Sequence, residues 1–181
     1  IQDGRGLPSG PLESGHRTLQ AGLRTWVERQ THRSLGYLEQ LYTFADRDRT
    51  LDSSERVISI SYLGLTREAR AVGNDGSSWR SWYRYLPWED WRDGPPALLT
   101  GEILPRLAEW IRDTGDVATR RERAQRVEAS FASEERHWNE ELALQRYELL
   151  YEARLVPAAG RRKPIANPLP GEAMVHDHRR I

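Results

Sequence analysis

The chain has 181 residues, with 27 basic (Lys and Arg) and 27 acidic side chains, so no general attraction to polyanions is expected. Its 30% charged and 38% apolar residues suit a globular protein of one domain, or one domain with an appendage. The sequence has no apolar run near the roughly 18 residues of a membrane span, and no Cys for disulfides or thiolate chemistry. With no signal-peptide pattern either, we expect a cytoplasmic protein.

The first half of the chain predicts one helix and two strands. Gly and Pro make Ile1–Ser14 a loop, and Thr18–Gln30 follows as a helix. Four apolar positions form one helical stripe that we expect to face a core, namely Leu19, Leu23, Trp26 and Val27. Tyr37–Phe44 is predicted as a strand rich in aromatic residues, and Val57–Leu65 as a second strand with apolar residues on both faces. The polar segment Ala45–Glu55 between them predicts an exposed loop.

After a turn near residue 75 the sequence becomes aromatic. Trp79–Trp91 is predicted as a strand that ends near Pro87. Its aromatic cluster suits packing between sheet and helices, or a dimer interface, better than stacking of nucleic-acid bases, because acidic residues cancel its arginines.

The last part of the chain is predicted to be helical. A helix begins at Pro95 and Pro96 and runs to about Arg112, with a kink or break at Pro105. Two charged helices follow, Thr119–Phe131 and Asn139–Arg154, and then a basic, Pro-rich linker, Ala158–Pro170. The arginines of residues 120–126 are expected on a solvated helix face rather than on DNA, and Arg161, Arg162 and Lys163 are the better electrostatic candidates. His176 and His178 alone are a weak metal motif.

The segment Gly10–His32, GPLESGHRTLQAGLRTWVERQTH, resembles the Nudix hydrolase signature G-x5-E-x7-R-E-U-x-E-E-x-G-U, in which U is apolar. Counted from Gly10, the signature Arg falls on Arg24 and the apolar position on Trp26. Its four Glu positions fall on His16, Thr25, Glu28 and Arg29. The spacing of the signature therefore survives while three of its four carboxylates are absent.

This loss argues against hydrolysis. Cleavage of a diphosphate in this family needs Mg²⁺, a hard cation that prefers several oxygen ligands. His16 is a poor magnesium ligand, Thr25 a weak one, and Arg29 repels the ion. Glu28 lies four residues after Arg24, so an ion pair between the two is favoured over metal binding. We expect no catalytic residue, no metal and no cofactor.

Four later segments extend the resemblance over most of Leu7–Pro157. They are the two strand regions, GYLEQLYTFADRDR and RVISISYLGLT, and the stretches WYRYLPWEDWRDGPPALL and RYELLYEARLVP. Together they resemble bacterial Nudix-related regulators of NAD metabolism, the NrtR type, in their alphaproteobacterial branch. Such proteins join a Nudix-like sensor to a C-terminal winged-helix DNA-binding domain.

The resemblance implies an α+β fold, a Nudix-like α/β/α sandwich with a mixed sheet, followed by a helical extension. We divide the chain into a Nudix-like domain (1–93) whose N-terminal strands lie outside this sequence, a helical extension (94–157) and a linker (158–181). The linker is expected to lead to a DNA-binding domain that this sequence does not contain. The implied function is a non-catalytic sensor of ADP-ribose or a related NAD-derived nucleotide, in a homodimer that binds DNA and no membrane.

Eight residues are candidates for the ligand site. Arg24 and Glu28 come from the signature helix, and Arg47, Arg49 and Arg56 lie in or beside the loop that approaches the substrate in the related hydrolases, where a guanidinium suits a diphosphate. The strand offers three more: Glu39 for ribose hydroxyls, and Tyr42 or Phe44 for stacking on adenine. A solvated loop and an ordinary aromatic core are the competing interpretations. An active hydrolase of ADP-ribose-like compounds and a purely structural or dimerisation module remain alternatives.

Overall fold

A computed structural model describes residues 6–45, 57–67, 79–131, 138–160, 163–174 and 178. The chain divides into two compact units. The first, unit 1, comprises Ile1–Trp79 with Val175–Arg179 and Ile181, and the second, unit 2, comprises Arg80–Met174 with Arg180. The division therefore follows Trp79, whereas the sequence-based boundary was placed after Asp93.

Unit 1 contains helix α1 (Leu19–Thr31) and the strands β1 (Leu38–Phe44) and β2 (Ser59–Gly64). The prediction of this helix and these strands is confirmed. Thr18 caps α1, since its hydroxyl accepts a hydrogen bond from the backbone N of Ala21 at 3.0 Å. The helix ends at His32, which takes the left-handed conformation with φ 53°.

The two strands pair antiparallel and carry a bulge at Leu41. Gln40 pairs with Tyr62, but the next pair is Tyr42 with Ser61, so Leu41 is an extra residue in β1. The bulge shifts the alternation of side chains by one position. Residues 39, 42 and 44 therefore share one face of the hairpin with their partners in β2, residues 63, 61 and 59.

The described part of unit 1 buries few side chains. Of the predicted helical stripe, Leu19 is 40% exposed and Leu23, Trp26 and Val27 are only half-buried, so the expectation that this stripe docks into a core is wrong. The buried apolar side chains of the strands are Leu38 and Phe44. A two-stranded hairpin with so little buried surface is marginally stable by itself in water.

Unit 2 is helical, and its α-helices follow the predicted order. Its elements are a π-helical turn (Leu99–Ile103), α2 (Leu104–Arg112), α3 (Val117–Ser130) and α4 (Ala143–Glu152), with 3₁₀ turns at Trp82–Arg84, Pro87–Glu89, Glu140–Leu142 and Pro157–Gly160. The helix break predicted at Pro105 takes the form of this π-helical turn, which lies immediately before α2. Pro105 has no N–H to donate, and the preceding N–H, of Leu104, bonds to the carbonyl of Leu99 across the wider turn.

The core of unit 2 gathers apolar side chains from all of its helices. The fully buried members are Trp88, Ile103, Leu107, Leu149, Leu150, Val156 and Leu169. Trp88 lies in a 3₁₀ turn, so the predicted strand Trp79–Trp91 is wrong. Ser81 accepts a hydrogen bond from the N of Tyr83 and starts a first turn, and Pro87 begins the second.

The segment predicted as a linker packs on unit 2 where the structure describes it. Leu169 is 1% exposed, and its N donates to the carbonyl of Leu155 at 2.7 Å. The N of Glu172 donates to the carbonyl of Arg84, whose guanidinium lies 2.5 Å from the Glu172 carboxylate. Residues 163–174 are therefore part of this unit, because Leu169 buries an apolar side chain that a free linker would leave in water.

The described residues establish a mixed helix-and-sheet protein of the α+β class. Their sheet consists of two antiparallel strands. None of the helices in this part of the chain combines the length and apolar character that crossing a membrane requires.

Candidate functional site

The loop before α1 lies along one face of that helix. The indole N–H of Trp26 donates to the carbonyl of Pro11 at 2.8 Å, and the side chain of Gln30 bonds to both the N and the carbonyl of Ser9. The backbone of Gly10 lies directly on the indole, because a Cβ there would be only 2.1 Å from the ring. Positions 22, 26 and 30 recur every four residues, so a single helix face receives the whole loop.

His16 closes this contact at the N-terminal end of α1. Its Nδ1 accepts a hydrogen bond from the N of Glu13 at 3.1 Å, and the N of His16 donates back to the carbonyl of Glu13 at 3.0 Å. The ring rests on Gly22, where a Cβ would lie 2.8 Å from Nδ1. In the signature this is a carboxylate position, whereas here the side chain holds the loop.

Arg24 holds the segment that follows the helix. Its guanidinium donates to the carbonyls of Leu35 and Gly36, the latter at 2.6 Å. Within the described residues it forms no ion pair with Glu28, so the predicted pairing is wrong. The guanidinium bonds to these backbone carbonyls instead of Glu28 because the chain returns beside the helix at Leu35 and Gly36. The spacing of residues along α1 cannot reveal this return. Arg24 is thus occupied, and it is a poor candidate for direct contact with a diphosphate.

The remaining signature positions of α1 are exposed. These positions are Thr25, Glu28 and Arg29. The hydroxyl of Thr25 donates to the carbonyl of Ala21, and the guanidinium of Arg29 lies 4.9 Å from the centre of the Trp26 ring. In the part of the chain that the structure describes, no group of three or more His, Asp and Glu side chains gathers as a metal site would require.

The bulge at Leu41 brings three predicted residues to one face of the hairpin, the Glu39/Tyr42 face. Glu39, Tyr42 and Phe44 share it with Leu63 and the two serines of β2. Tyr42 is 61% exposed and Phe44 is 5% exposed, and their ring centres lie 4.7 Å apart at an angle of 57°. Without the bulge, Glu39 and Tyr42 would point to opposite faces, since they are three positions apart.

This face can hold a flat, hydroxyl-bearing ligand. The buried Phe44 fixes the tilt of the Tyr42 ring, and the exposed side of Tyr42 offers an apolar surface for a base. Glu39 is exposed and accepts a long hydrogen bond of 3.4 Å from the hydroxyl of Tyr37, so its carboxylate retains room for further donors. The three other predicted residues, Arg47, Arg49 and Arg56, lie outside the described residues.

Unit 2 contains a buried charged network that the sequence analysis did not single out. Arg146 is fully buried and makes a two-pronged pair with Glu89, Nε to Oε1 at 2.8 Å and Nη2 to Oε2 at 2.6 Å. Its Nη1 donates to the carbonyls of Ser130 and Asn139. The indole of Trp138 covers the guanidinium at 3.8 Å and donates to Glu89 at 3.2 Å. Each nitrogen of the guanidinium and the indole nitrogen of Trp138 has an internal acceptor, so this network is a structural centre rather than a ligand site.

The arginine run of α3 is also used internally. Arg120 donates to the carbonyl of Thr114, Arg123 donates to the carbonyl of Trp110 and covers its ring at 4.3 Å, and Arg126 forms a two-pronged pair with Glu152. These arginines tie α3 to its neighbours, which agrees better with a structural helix face than with phosphate contacts.

An open cleft of about 500 Å³ lies on unit 2 between α2 and the end of α4. Its lining mixes both charges with apolar surface and consists of Arg106, Glu109, Trp110, Asp113, Ala153 and Leu155. Arg106 reaches away from it to the carbonyl of Asn167 at 2.6 Å. The lining carries one basic and two acidic side chains, and the basic one is bonded outside the cleft.

Comparison with known proteins adds no family to this description. The chain matches no protein-family model and no curated protein. Its class is α+β, and the resemblance to Nudix-related regulators depends on the motifs of the sequence alone.

Proposed function

We propose that this chain is a non-catalytic, Nudix-like ligand-sensing domain of a cytoplasmic transcriptional regulator of NAD metabolism, which binds ADP-ribose or a related NAD-derived nucleotide. The observation that carries the proposal is the Glu39/Tyr42 face: an exposed, tilted aromatic ring and an exposed carboxylate on one side of a hairpin. An adenine ring stacks on Tyr42, and Glu39 accepts hydrogen bonds from ribose hydroxyls. Recognition of this kind needs no metal.

The residues at the signature positions support the proposed absence of hydrolysis. Of the four Glu positions of the signature, one carboxylate remains, Glu28, and it is exposed on α1. A single exposed carboxylate holds Mg²⁺ weakly, because the ion keeps most of its water when so few protein oxygens reach it. The loop and helix are retained as a scaffold, fixed by Trp26, Gln30 and Arg24.

The regulatory part of the proposal concerns partners. A homodimer carries two ligand sites, and the DNA is bound by a winged-helix domain outside this sequence. On and beside the hairpin several apolar side chains are exposed, among them Leu41, Ile58 and Leu65. Their exposure supports the idea that a further protein surface covers the hairpin. Ligand binding then changes DNA affinity only if the ligand prefers one of two dimer geometries.

Titration calorimetry with ADP-ribose, NAD and nicotinamide mononucleotide tests the proposal. Stacking on an aromatic ring contributes about 1–3 kcal/mol, so Tyr42→Ala should weaken binding of the adenine-containing ligands about 5- to 150-fold. Glu39→Gln should weaken it less, since an amide still accepts one hydrogen bond. Tyr151→Ala is the matched control, because Tyr151 is 45% exposed and also contacts another ring, that of Tyr147.

Two results would contradict the proposal. If none of the three ligands binds, a structural or dimerisation module is the better description of the protein. Turnover of ADP-ribose in the presence of Mg²⁺, abolished by Glu28→Gln, would make the protein a hydrolase with an unusual set of ligands.

A further inference from the structure

The Glu39/Tyr42 face carries a single charged side chain, Glu39, beside its exposed aromatic ring. The other five residues of the face are uncharged, namely Tyr42, Phe44, Ser59, Ser61 and Leu63. Within the part of the chain that the structure describes, no basic side chain forms an ion pair with Glu39. The charge that a ligand meets on this face is therefore negative.

The position of Glu39 suits the sugar of a nucleoside whose base stacks on Tyr42. The two residues are separated by about 7–10 Å of strand. Because the ribose is attached directly to the base, a base on the Tyr42 ring can direct its sugar along β1 towards Glu39. In the other direction the next residue of the face is the buried Phe44, and the hydroxyl of Ser61 already donates to the carbonyl of Tyr42 at 3.1 Å. Glu39 is thus the charged group that such a ribose meets.

A carboxylate at this position distinguishes a ribose from its 2′-phosphorylated form. The hydroxyl of Tyr37 donates to Oε2 of Glu39 at 3.4 Å, which leaves Oε1 for the ligand. An ionised carboxylate only accepts hydrogen bonds, and both adjacent hydroxyls of a ribose can donate them. A phosphate on the 2′ oxygen removes one of these donors and adds about 1.5 to 2 negative charges. The carboxylate that binds the free ribose therefore repels the phosphorylated one.

We propose that Glu39 is the specificity-determining residue of this face, which selects NAD-derived nucleotides with a free adenosine 2′-hydroxyl over their 2′-phosphorylated, NADP-derived counterparts. This role rests on the proposed function, because it concerns the same face and the same class of ligand. The 2′-phosphate costs a hydrogen bond to a charged group and adds a repulsion between like charges. Together these effects should weaken binding about 10- to 100-fold at an exposed site.

The test is titration calorimetry of the full chain with two pairs of ligands that differ only in the 2′-phosphate. The pairs are ADP-ribose with ADP-ribose 2′-phosphate, and NAD with NADP. The wild-type chain should bind the unphosphorylated member of each pair about 10- to 100-fold more tightly. In Glu39→Gln this preference should fall to within about threefold, because the amide carries no charge and its NH₂ can donate to a phosphate oxygen.

Two further variants separate the local charge from other effects. Glu128→Gln is the matched control, since it removes an equal charge from an exposed position of α3 in unit 2, and it should leave both preferences at their wild-type values. Glu39→Thr removes the carboxylate with a residue that favours strands. It should lose the preference as Glu39→Gln does, and it decides the question if Glu39→Gln does not fold.

The role of Glu39 is overturned if the wild-type chain binds both members of a pair equally or prefers the phosphorylated one. It is also overturned if the preference survives the loss of the carboxylate, or if Glu128→Gln removes it to the same extent. In each of these cases ADP-ribose binds and Tyr42→Ala still weakens it, so the proposed function stands without this role. If the wild-type chain binds none of the four ligands, the proposed function fails and the role of Glu39 fails with it.

Discussion

Removing the buried charge of Arg146 should be the most damaging single substitution in unit 2. Arg146→Met keeps an apolar side chain of similar length but removes both bonds to Glu89 and the donors to the carbonyls of Ser130 and Asn139. Glu89 is only 10% exposed and keeps one donor, the indole of Trp138. An uncompensated charge at such a site typically costs about 3–5 kcal/mol of unfolding free energy.

The measurement is urea unfolding of the full chain, followed by far-UV circular dichroism, which reports mainly on the helices of unit 2. Arg126→Met is the matched control, because Arg126 makes the same two-pronged contact with Glu152 at a site where both side chains are about 40% exposed. At this more exposed site we expect Arg126→Met to lower the unfolding free energy by at most about 1 kcal/mol.

The double variant Arg146→Met, Glu89→Leu separates lost charge pairing from lost packing. It should recover part of the stability lost in Arg146→Met, because it leaves no unpaired charge in the core. The reasoning is refuted if Arg146→Met costs no more than Arg126→Met, or if removing Glu89 as well makes the chain still less stable.

Two further substitutions test the loop and a surface pair. Gly10→Ala places a methyl group 2.1 Å from the Trp26 ring, so it should lower the unfolding free energy by about 1–3 kcal/mol and speed amide exchange in α1. Gly15→Ala is the control, because open space surrounds Gly15, and it should have neither effect. Equal effects of the two substitutions would disprove the close contact. The side-chain hydrogen bond from Arg126 holds the pKa of Glu152 below its ordinary value of 4.5, so the pair stabilises the fold above about pH 4.5 and this contribution disappears as the pH falls through the lowered pKa. Because both groups are partly exposed, the difference in melting temperature between wild type and Glu152→Gln should be small at pH 7 and should shrink as the pH falls below 4.5. A difference that grows on acidification would contradict this sign.

Helix α1 could be predicted from sequence because its determinants are local. Thr18 is a good capping residue immediately before the helix, and a hydrogen bond three residues along the chain suffices to start it. The strand predicted over Trp79–Trp91 failed for the opposite reason. Bulky aromatic residues favour strands where they pack on a sheet, but Trp88 is buried among helices, and that packing decides its conformation.

The candidate site was only partly predictable. Glu39, Tyr42 and Phe44 were identified from the strand pattern, but a regular strand places Glu39 and Tyr42 on opposite faces. The extra residue at Leu41 unites them, and a bulge leaves no mark in a pattern of alternating apolar residues. The bonds of Arg24 were likewise hidden, because they depend on where the chain returns after α1.

The positions in α1 and in the loop before it that resemble a metal-binding signature have a different use here. His16 and Arg24 stand at a Glu position and at the Arg position of that pattern, and both hold neighbouring backbone instead of an ion or a carboxylate. Each therefore fixes one of the two loops that flank the helix. A catalytic ion would require His16 to be replaced by a carboxylate, which could still accept the N–H of Glu13 but would place a second negative charge beside the Glu13 carboxylate. Restoring the signature with His16→Glu should thus loosen the loop at neutral pH before it creates a metal site, since a lone added carboxylate still leaves magnesium without a sufficient set of ligands.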